Sequence, residues 1–418
     1  MPAPPAALSH VLGYRDFRQF LGGRFAAGLV MQMQSVAIGW FLYDRTGDPL
    51  VLAYAGLAIF VPIALFTLPG GDIADRFDRR WILGAAHLIQ SVCGALLVIL
   101  AITASTEARL FYAVLALSGT ARAFSGPAVQ SFTPFLVPRP QLANAMAWGS
   151  SVNQTAMILG PAVGGALYLF GPMVVFGVCA GLSLVVATAM LTLRTRIAIV
   201  PPDASTTAFT RAVSGFRYVR RQPLVFGSIL LDLFAVLLGG ITALLPIYAR
   251  DILAVGPNGL GLLRTSMAVG AVSTALLLAN LPAERHRRTG VMMFVGVALF
   301  GVTIIVFGLS TNFVLSLAML ALMGAGDMMS VFVRNSIVQL ATPDDMRGRV
   351  SAVYMLFVGA SNELGDFRAG LAAAWFGTLP AVLLGGVSTL TVVALFAWLF
   401  PGLRRIDRLT DVTPRPGS

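Results

Sequence analysis

Lysine is absent from this chain of 418 residues, which contains only three histidines and two cysteines. A phosphate-binding loop of the GxxxxGK[ST] type needs its lysine, so the sequence argues against transport driven by ATP. The histidines and cysteines show no spacing typical of metal ligands, and no metal site is predicted. No Ser/His/Asp constellation is present either. We therefore expect a protein that is not an enzyme and that holds no cofactor.

Charged residues are scarce as well. They make up 11% of the chain against 57% hydrophobic residues, and the mean hydropathy is +0.83. Apolar segments of about 18 residues or more recur, and each is long enough to cross a bilayer as a helix. The short alternating segments of a membrane β-barrel are not found. The fold class is therefore all-α integral membrane protein. Cys93 and Cys179 lie within apolar segments, where we expect them to pack rather than to form a disulfide.

Twelve transmembrane helices are predicted. They cover residues 18–42, 50–71, 81–104, 109–137, 143–170, 172–195, 223–249, 257–283, 290–310, 312–341, 349–375 and 378–400. The first is not expected to be a removable signal peptide, because it follows a polar lead and has no small-residue cleavage site.

The distribution of arginine predicts the orientation in the membrane. With the amino terminus inside, 21 of the 29 basic residues fall in the two tails and the loops on that side. Three fall in the opposite loops, so both termini are predicted to be cytoplasmic. The arginines are spread over many short loops, which argues against nucleic acid and is compatible with anionic lipid. A composition rich in arginine and free of lysine suggests a bacterial source, and hence the inner membrane.

The longest internal loop divides the chain into residues 1–195 and 223–418, with a linker at 196–222. Apolar residues recur at helical spacing from Phe209 to Val219, which predicts a short amphipathic helix at the cytoplasmic surface.

The two halves match each other when one is shifted by 205 positions. Pro138 then falls on Pro343, and in the segments LGPAVGG (159–165) and LGDFRAG (364–370) Gly160 falls on Gly365 and Gly165 on Gly370. This register predicts two homologous repeats of six helices.

The stretch GGDIADRFDRR, between the second and third spans, resembles the signature loop of major facilitator transporters, G-x-x-x-D-[RK]-x-G-[RK]-[RK]. The matching residues are Gly71, Asp75, Arg76, Arg79 and Arg80, and Asp78 stands where the pattern has glycine. The order of motifs and the segment SNELGDFRAG resemble the branch of drug:proton antiporters that includes macrolide exporters and the enterobactin exporter.

This resemblance implies a monomer that works by alternating access between two six-helix bundles and draws its energy from the proton gradient. It also implies that Asp75 is a conformational latch, since the aspartate at this position in the family contacts the start of span eleven when the cytoplasmic side is closed. The alternative for Arg79 and Arg80 is a simple topological stop signal.

Apart from residues at the ends of spans, nine charged residues lie within the predicted spans. They are Arg24, Arg122, Arg264, Arg334, Arg368, Asp232, Asp327, Glu363 and Asp366. A charge in a bilayer costs several kcal/mol, so each is predicted to be paired or to face water. We take the four acids, together with Arg122, as candidates for proton coupling. The alternative is structural ion pairing only.

Arg122 and Gly126 resemble the family's R-x-x-x-G motif, whose arginine is implicated in proton coupling. The duplication places Asp327 at the equivalent point of span ten. Because spans one, four, seven and ten line the cavity in this fold, the candidates for substrate contact are Gln32, Gln34, Arg122, Asp232, Asp327 and Arg334. The alternative for the two glutamines is hydrogen bonding between helices.

Glu363 and Asp366 are three residues apart and thus share a helical face. Two close carboxylates in a low dielectric do not easily both ionise, so one of them is expected to hold a proton near neutral pH. Ion pairing with Arg368 or Arg334 is the rival interpretation.

Small residues in span five form a last motif, made of Gly160, Pro161, Gly164 and Gly165. It resembles the antiporter motif that ends in GPxxGG, although the motif's upstream glycines are alanines here. The glycines allow close approach of a neighbouring helix, and simple packing is the alternative.

Together these observations predict a secondary transporter that exports a small organic compound, drug-like or siderophore-like, in exchange for protons. A uniporter or importer on the same fold is the first alternative. A membrane sensor or lipid-handling protein that transports nothing is the second.

Overall fold

The computed structural model describes residues 8–103, 107–195, 208–281 and 288–408. The long helices are α1 Arg15–Thr46, α2 Pro49–Arg76, α3 Arg79–Ile102, α4 Ala108–Phe132, α5 Leu142–Tyr168, α6 Pro172–Leu191, α7 Ala208–Arg221, α8 Pro223–Gly239, α10 Gly256–Asn280, α11 Thr289–Leu309, α12 Phe313–Leu340, α13 Asp344–Phe376 and α14 Thr378–Leu399. Two short helices are α9 Leu245–Ile247 and α15 Pro401–Arg404.

Eleven of the twelve predicted spans each coincide with one long helix, span seven is broken, and the all-α membrane fold is confirmed. Within the described ranges, nine helical segments are both long enough and apolar enough to cross a bilayer. Helices α4, α5 and α13, with 25, 27 and 33 residues, also have the length of a span.

The chain forms two compact units. The first contains Met1–Phe41 and Ala58–Ala208, and the second contains Leu42–Leu57 and Phe209–Ser418. The hairpin between α1 and α2 is thus part of the second unit, although its flanking helices belong to the first. In the first unit Phe20 and Phe132 pack edge to face, with ring centroids 5.4 Å apart.

Helix α7 lies in the linker and packs on the second unit. The Tyr218 hydroxyl donates a hydrogen bond to the Ala341 carbonyl at 2.9 Å, and Val219 is buried. The rings of Phe216 and Phe357 are stacked with centroids 6.2 Å apart. The side chain of Phe209, which belongs to the predicted apolar stripe, lies outside the described residues.

Span seven, Pro223–Ile252, is broken, whereas the sequence analysis expects one continuous helix over 223–249. Helix α8 ends at Gly239, and Gly240 has extended backbone angles (φ −56°, ψ 130°). A 3-10 turn at Thr242–Leu244 follows, then α9 and a π-helix at Tyr248–Ile252. Two adjacent glycines and Pro246, which has no N–H to donate, explain why the helix does not continue.

Candidate functional site

A buried ion pair joins α8 to α12 in the second unit. The carboxylate of Asp232 lies 2.5 Å from Arg334 Nη1, and the two residues are 5% and 2% exposed. Arg334 also donates through Nε to the Tyr354 hydroxyl at 3.0 Å, and its guanidinium lies 5.5 Å from the centre of that ring. Burying two charges is costly unless such hydrogen bonds accompany the pairing. Asp232 and Arg334 therefore form a close, buried ion pair.

Asp327 lies on α12, two helical turns before Arg334, and its bonding differs from that of Asp232. Within the part of the chain that the structure describes, its carboxyl has no hydrogen-bond or ion-pair partner. It does interact electrostatically with Asp232 and Arg334. A part-buried carboxyl with this freedom is well suited to gaining and losing a proton.

A cavity of about 150 Å³ in the second unit brings these groups together. Asp232, Asp327, Arg334, Asn362 and Asp366 contribute its polar lining. Since a water molecule occupies about 30 Å³ of liquid, the cavity has room for several. The apolar wall includes Met267, Phe300 and Met323. Helices α8, α12 and α13 thus each contribute at least one ionisable side chain to the lining of one cavity.

Asp366 contacts the break in span seven. Its carboxylate accepts a hydrogen bond from the Ala243 amide at 3.2 Å. Arg368, on the same helix, donates to the Gly240 carbonyl at 3.2 Å. Arg264, on α10, interacts electrostatically with both Asp366 and Glu363. Of the two acids predicted to share a proton, Asp366 is therefore bonded to the backbone.

The hairpin Leu42–Leu57 contacts the far end of span seven within the second unit. Arg250 Nε lies 3.1 Å from the Asp44 carboxylate, and Arg250 Nη1 donates to the Tyr43 carbonyl at 3.3 Å. The Tyr43 hydroxyl donates a hydrogen bond to Asp251. The π-helix is thus tied to the hairpin through Tyr43 and Asp44.

The polar candidates of the first unit lie on α1 and α4. Arg122 is part-buried, and its Nη2 lies 3.1 Å from Met31 Sδ. Gln34 is buried and Gln32 part-buried. Neither glutamine makes a hydrogen bond to any described residue, so the predicted alternative of a bond between helices finds no support there.

The signature loop forms a cap at the start of α3. The Asp78 carboxylate accepts a hydrogen bond from the Arg80 amide at 3.0 Å and pairs with the Arg80 guanidinium at 2.5 Å. Arg80 also donates to the Leu193 carbonyl at 2.7 Å. Asp78 has φ −64°, which any residue adopts, so the family's glycine is not needed here.

Other residues of this loop differ in their exposure. Arg79 is 8% exposed, and its guanidinium lies 5.7 Å from the ring centre of Phe135. Arg76 is exposed and Gly71 part-buried. The side chain of Asp75 lies outside the described residues, so its role as a latch stays a prediction.

Asp78→Asn is expected to lower the melting temperature at neutral pH, and the deficit should vanish in acid. The hydrogen bond with Arg80 lowers the pKa of Asp78 below its ordinary value of 3.8. The stabilisation is therefore complete above pH 3.8 and is lost as the pH falls through the folded-state pKa. Thermal unfolding of both proteins from about pH 7 to about pH 3 measures this. A gap that stays constant with pH would contradict it.

The glycines of α5 allow close approach to α1. A Cβ placed on Gly164 would lie 2.7 Å from Met33 Cα, and one on Gly160 would lie 2.5 Å from Gln32 Cβ. Pro161 and Gly165 are also buried. In the first unit these residues therefore do the packing that their motif predicts.

Gly164→Ala is expected to destabilise the protein by about 1–3 kcal/mol, because the clash is with backbone that has to move. Gly181→Ala is the matched control, since nothing lies within 4 Å of a Cβ at that position. Its effect should stay within about 0.5 kcal/mol. Thermal unfolding in detergent compares the two, and equal stability of both variants would refute the close contact.

Tyr354 and Asn362 are site residues that the sequence analysis missed. Neither is charged, and aromatic or amide residues within spans are common enough to carry no signal alone. Tyr354 gains its importance only from its hydrogen bond to Arg334, which depends on how α12 and α13 pack.

The family model described as "Transmembrane secretion effector" matches residues 12–415, nearly the whole chain. The chain belongs to this family of major facilitator transporters. The transporter is similar to macrolide efflux protein A of Streptococcus pyogenes, with 24% identity over 403 residues, 94% of this chain and 97% of that protein. It is also similar to the enterobactin exporter EntS of Escherichia coli, with 26% identity over 394 residues, 92% and 88% of the two chains.

Solved structures of other transporters share the fold. The nucleoside transporter NupG matches with a TM-score of 0.70 at 14% identity, covering 92% of this chain and 99% of that one. A bacterial homologue of the human lysosomal transporter Spinster matches with a TM-score of 0.70 at 16% identity, covering 96% and 97%. The transporter is thus a multi-pass membrane protein, and its family is not one of enzymes.

Proposed function

We propose that this transporter exports a small organic compound in exchange for protons, and that Asp327 is the carboxyl that binds the proton. The observation that carries this proposal is the contrast between the two acids on either side of Arg334. Asp232 is held in a close ion pair, whereas Asp327 faces the same cavity without a hydrogen-bond partner among the described residues. Among the described residues, Asp327 thus offers the proton a carboxyl without a hydrogen-bond partner near the buried guanidinium of Arg334.

The chemistry follows from the charges. When Asp327 is ionised, it competes with Asp232 for the field of Arg334 across the cavity. A proton on Asp327 removes that competition, so the Asp232–Arg334 pair is stabilised. The contact between helices α8 and α12, which this ion pair forms, is therefore stronger when Asp327 is protonated. Binding and release of the proton therefore change the energy of the contact between two helices, which is what coupling to a conformational change requires.

The direction of transport and the kind of substrate are supported by the relatives. Macrolide efflux protein A and enterobactin exporter EntS carry export in their names, and their alignments cover nearly the whole chain. A drug-like or siderophore-like compound is the corresponding substrate class. The arginine distribution supports cytoplasmic termini in a bacterial inner membrane. In a protease-protection experiment, a tag at either terminus is expected to be accessible only from the cytoplasm.

Flux in proteoliposomes tests the proposal. The purified transporter is reconstituted with a pH-sensitive dye in the lumen, and a macrolide or enterobactin is offered as substrate. We expect a substrate gradient to drive protons in the opposite direction, and an imposed pH gradient to drive substrate uphill. Substrate flux that is indifferent to the pH gradient and moves no protons would identify a uniporter instead.

A further inference from the structure

We propose that Asp366 and Arg368 are positioning residues that hold the broken span seven in shape, and that Asp366 is not the carrier of the transported proton. The two residues lie on α13 and contact opposite sides of the break. Asp366 accepts from the Ala243 amide, and Arg368 donates to the Gly240 carbonyl, both at 3.2 Å. We call this pair of contacts the clasp.

The clasp supplies hydrogen-bond partners to backbone groups at the break. A break in a membrane-spanning helix leaves backbone N–H and C=O groups without helical partners, and the bilayer core supplies none. The negative side chain is placed at an N–H donor and the positive one at a carbonyl acceptor. Each charge thus matches the backbone group that it faces. Such charge-assisted hydrogen bonds are stronger than neutral ones.

Close packing holds the same region together. A Cβ on Gly365 would lie 2.7 Å from the Val236 carbonyl oxygen, and one on Gly240 would lie 3.5 Å from Gly365 Cα. The backbone of α13 therefore runs directly against the end of α8. This approach brings the side chains that follow Gly365 within reach of the break.

The segment beyond the break carries Arg250 and Asp251, which are bonded to Asp44 and Tyr43 of the hairpin. The clasp thus holds the start of residues 242–252, at the end nearest the cavity. Further along, the Tyr248 hydroxyl donates to the Gly308 carbonyl at 3.0 Å. By fixing where this segment begins, Asp366 and Arg368 also fix where its far end meets the hairpin.

Other charged groups surround Asp366. Arg264 on α10 and Arg368 on α13 interact with it electrostatically. The Asp366 carboxylate is thus bonded to a backbone donor and lies near two guanidiniums. Asp327 lacks these backbone and side-chain bonds among the described residues, which is why the two cavity acids are assigned different roles.

Hydrogen–deuterium exchange on the full-length transporter in nanodiscs tests the clasp. In Asp366→Ala, exchange in residues 240–244 is expected to become about tenfold faster, since a charge-assisted hydrogen bond is lost. Asp366→Asn keeps an oxygen that accepts the Ala243 N–H but loses the charge, so its exchange rate should lie between those of the wild type and Asp366→Ala. Asn362→Ala is the matched control, because Asn362 lines the same cavity but donates only to the Val358 carbonyl of its own helix.

Arg368→Gln tests the other contact of the clasp, between Arg368 and the Gly240 carbonyl. It also replaces Asp366→Ala as the test if that variant does not fold. It should also speed exchange around Gly240. Wild-type exchange in Arg368→Gln and Asp366→Ala would overturn the clasp, as would an Asp366→Asn variant that is folded but exchanges as fast as Asp366→Ala.

Proton movement in proteoliposomes separates this inference from the proposed function, on which this second arm rests. Asp366→Asn is expected to retain substrate-driven proton movement, whereas Asp327→Asn is expected to lose it with unchanged exchange at 240–244. If Asp366→Asn abolishes proton movement while its exchange stays slower than that of Asp366→Ala, the clasp stands as geometry but Asp366 is the carrier, and the inference fails. If neither variant affects proton movement, the proposed function fails and the exchange result still decides the clasp.

Discussion

Arg334→Leu is expected to destabilise the transporter by about 3–5 kcal/mol, because it leaves the buried carboxylate of Asp232 without its partner. Asp232 is 5% exposed and sits 2.5 Å from Arg334. A buried charge without a counter-charge has to be protonated or reach water, and either outcome costs free energy. Thermal or denaturant unfolding in detergent measures the loss.

The double variant Asp232→Asn, Arg334→Leu is the decisive control. It removes both charges, so most of the lost stability should return, even though the hydrogen bond to Tyr354 is gone. Tyr354→Phe alone should cost much less, about 1 kcal/mol, since it removes a single hydrogen bond. If the double variant is as unstable as Arg334→Leu, the cost comes from lost packing and not from the unpaired charge.

Asp327→Asn is expected to abolish proton movement while leaving substrate binding and passive exchange of substrate across the vesicle membrane. The amide has nearly the shape of the carboxyl but cannot take up or release a proton in the working pH range. Asp327→Glu keeps an ionisable group on α12 and should retain a measurable part of the coupling. Dye-reported proton flux and radiolabelled counterflow in the same vesicles separate the two activities.

An Asp327→Asn variant that still moves protons in step with substrate would show that another group carries them. The variant is not expected to lose stability, because Asp327 has no hydrogen bond or ion pair to lose within the described ranges. A large fall in melting temperature would therefore contradict the site as well.

The sequence predicts the spans and their charged residues well, because bilayer thickness and the cost of buried charge leave strong patterns. It does not predict which charges meet. Asp232 and Arg334 are on different helices, and their contact depends on how each helix is rotated. The separate roles of Asp327 and Asp366, both acids in apolar helices, likewise result from the rotation of their helices. They depend on which neighbours each one faces.

The break in span seven was also beyond the sequence pattern. Hydropathy stays high through Gly239 and Gly240, so the periodicity predicts a continuous helix. The glycine pair and Pro246 are visible, but glycine and proline are common in membrane helices and do not by themselves mark a break. In the proposed clasp, charged residues of α13 bond the free backbone groups at the break. At Asp78 the sequence departs from the family pattern, which has glycine there, but the ordinary backbone angles of Asp78 show that glycine is not required.

Acids outnumber arginines by one in the membrane-embedded part of the second unit. The set comprises Asp232, Asp327, Glu363, Asp366, Arg264, Arg334 and Arg368. A single proton taken up there makes the whole set electrically neutral. Moving one elementary charge across 100 mV changes the free energy by about 2.3 kcal/mol. Counting Arg24 and Arg122 of the first unit as well, the embedded charge of the whole carrier is positive and rises by one when the proton binds. We therefore expect the membrane voltage to act differently on the empty and on the protonated carrier as each reorients.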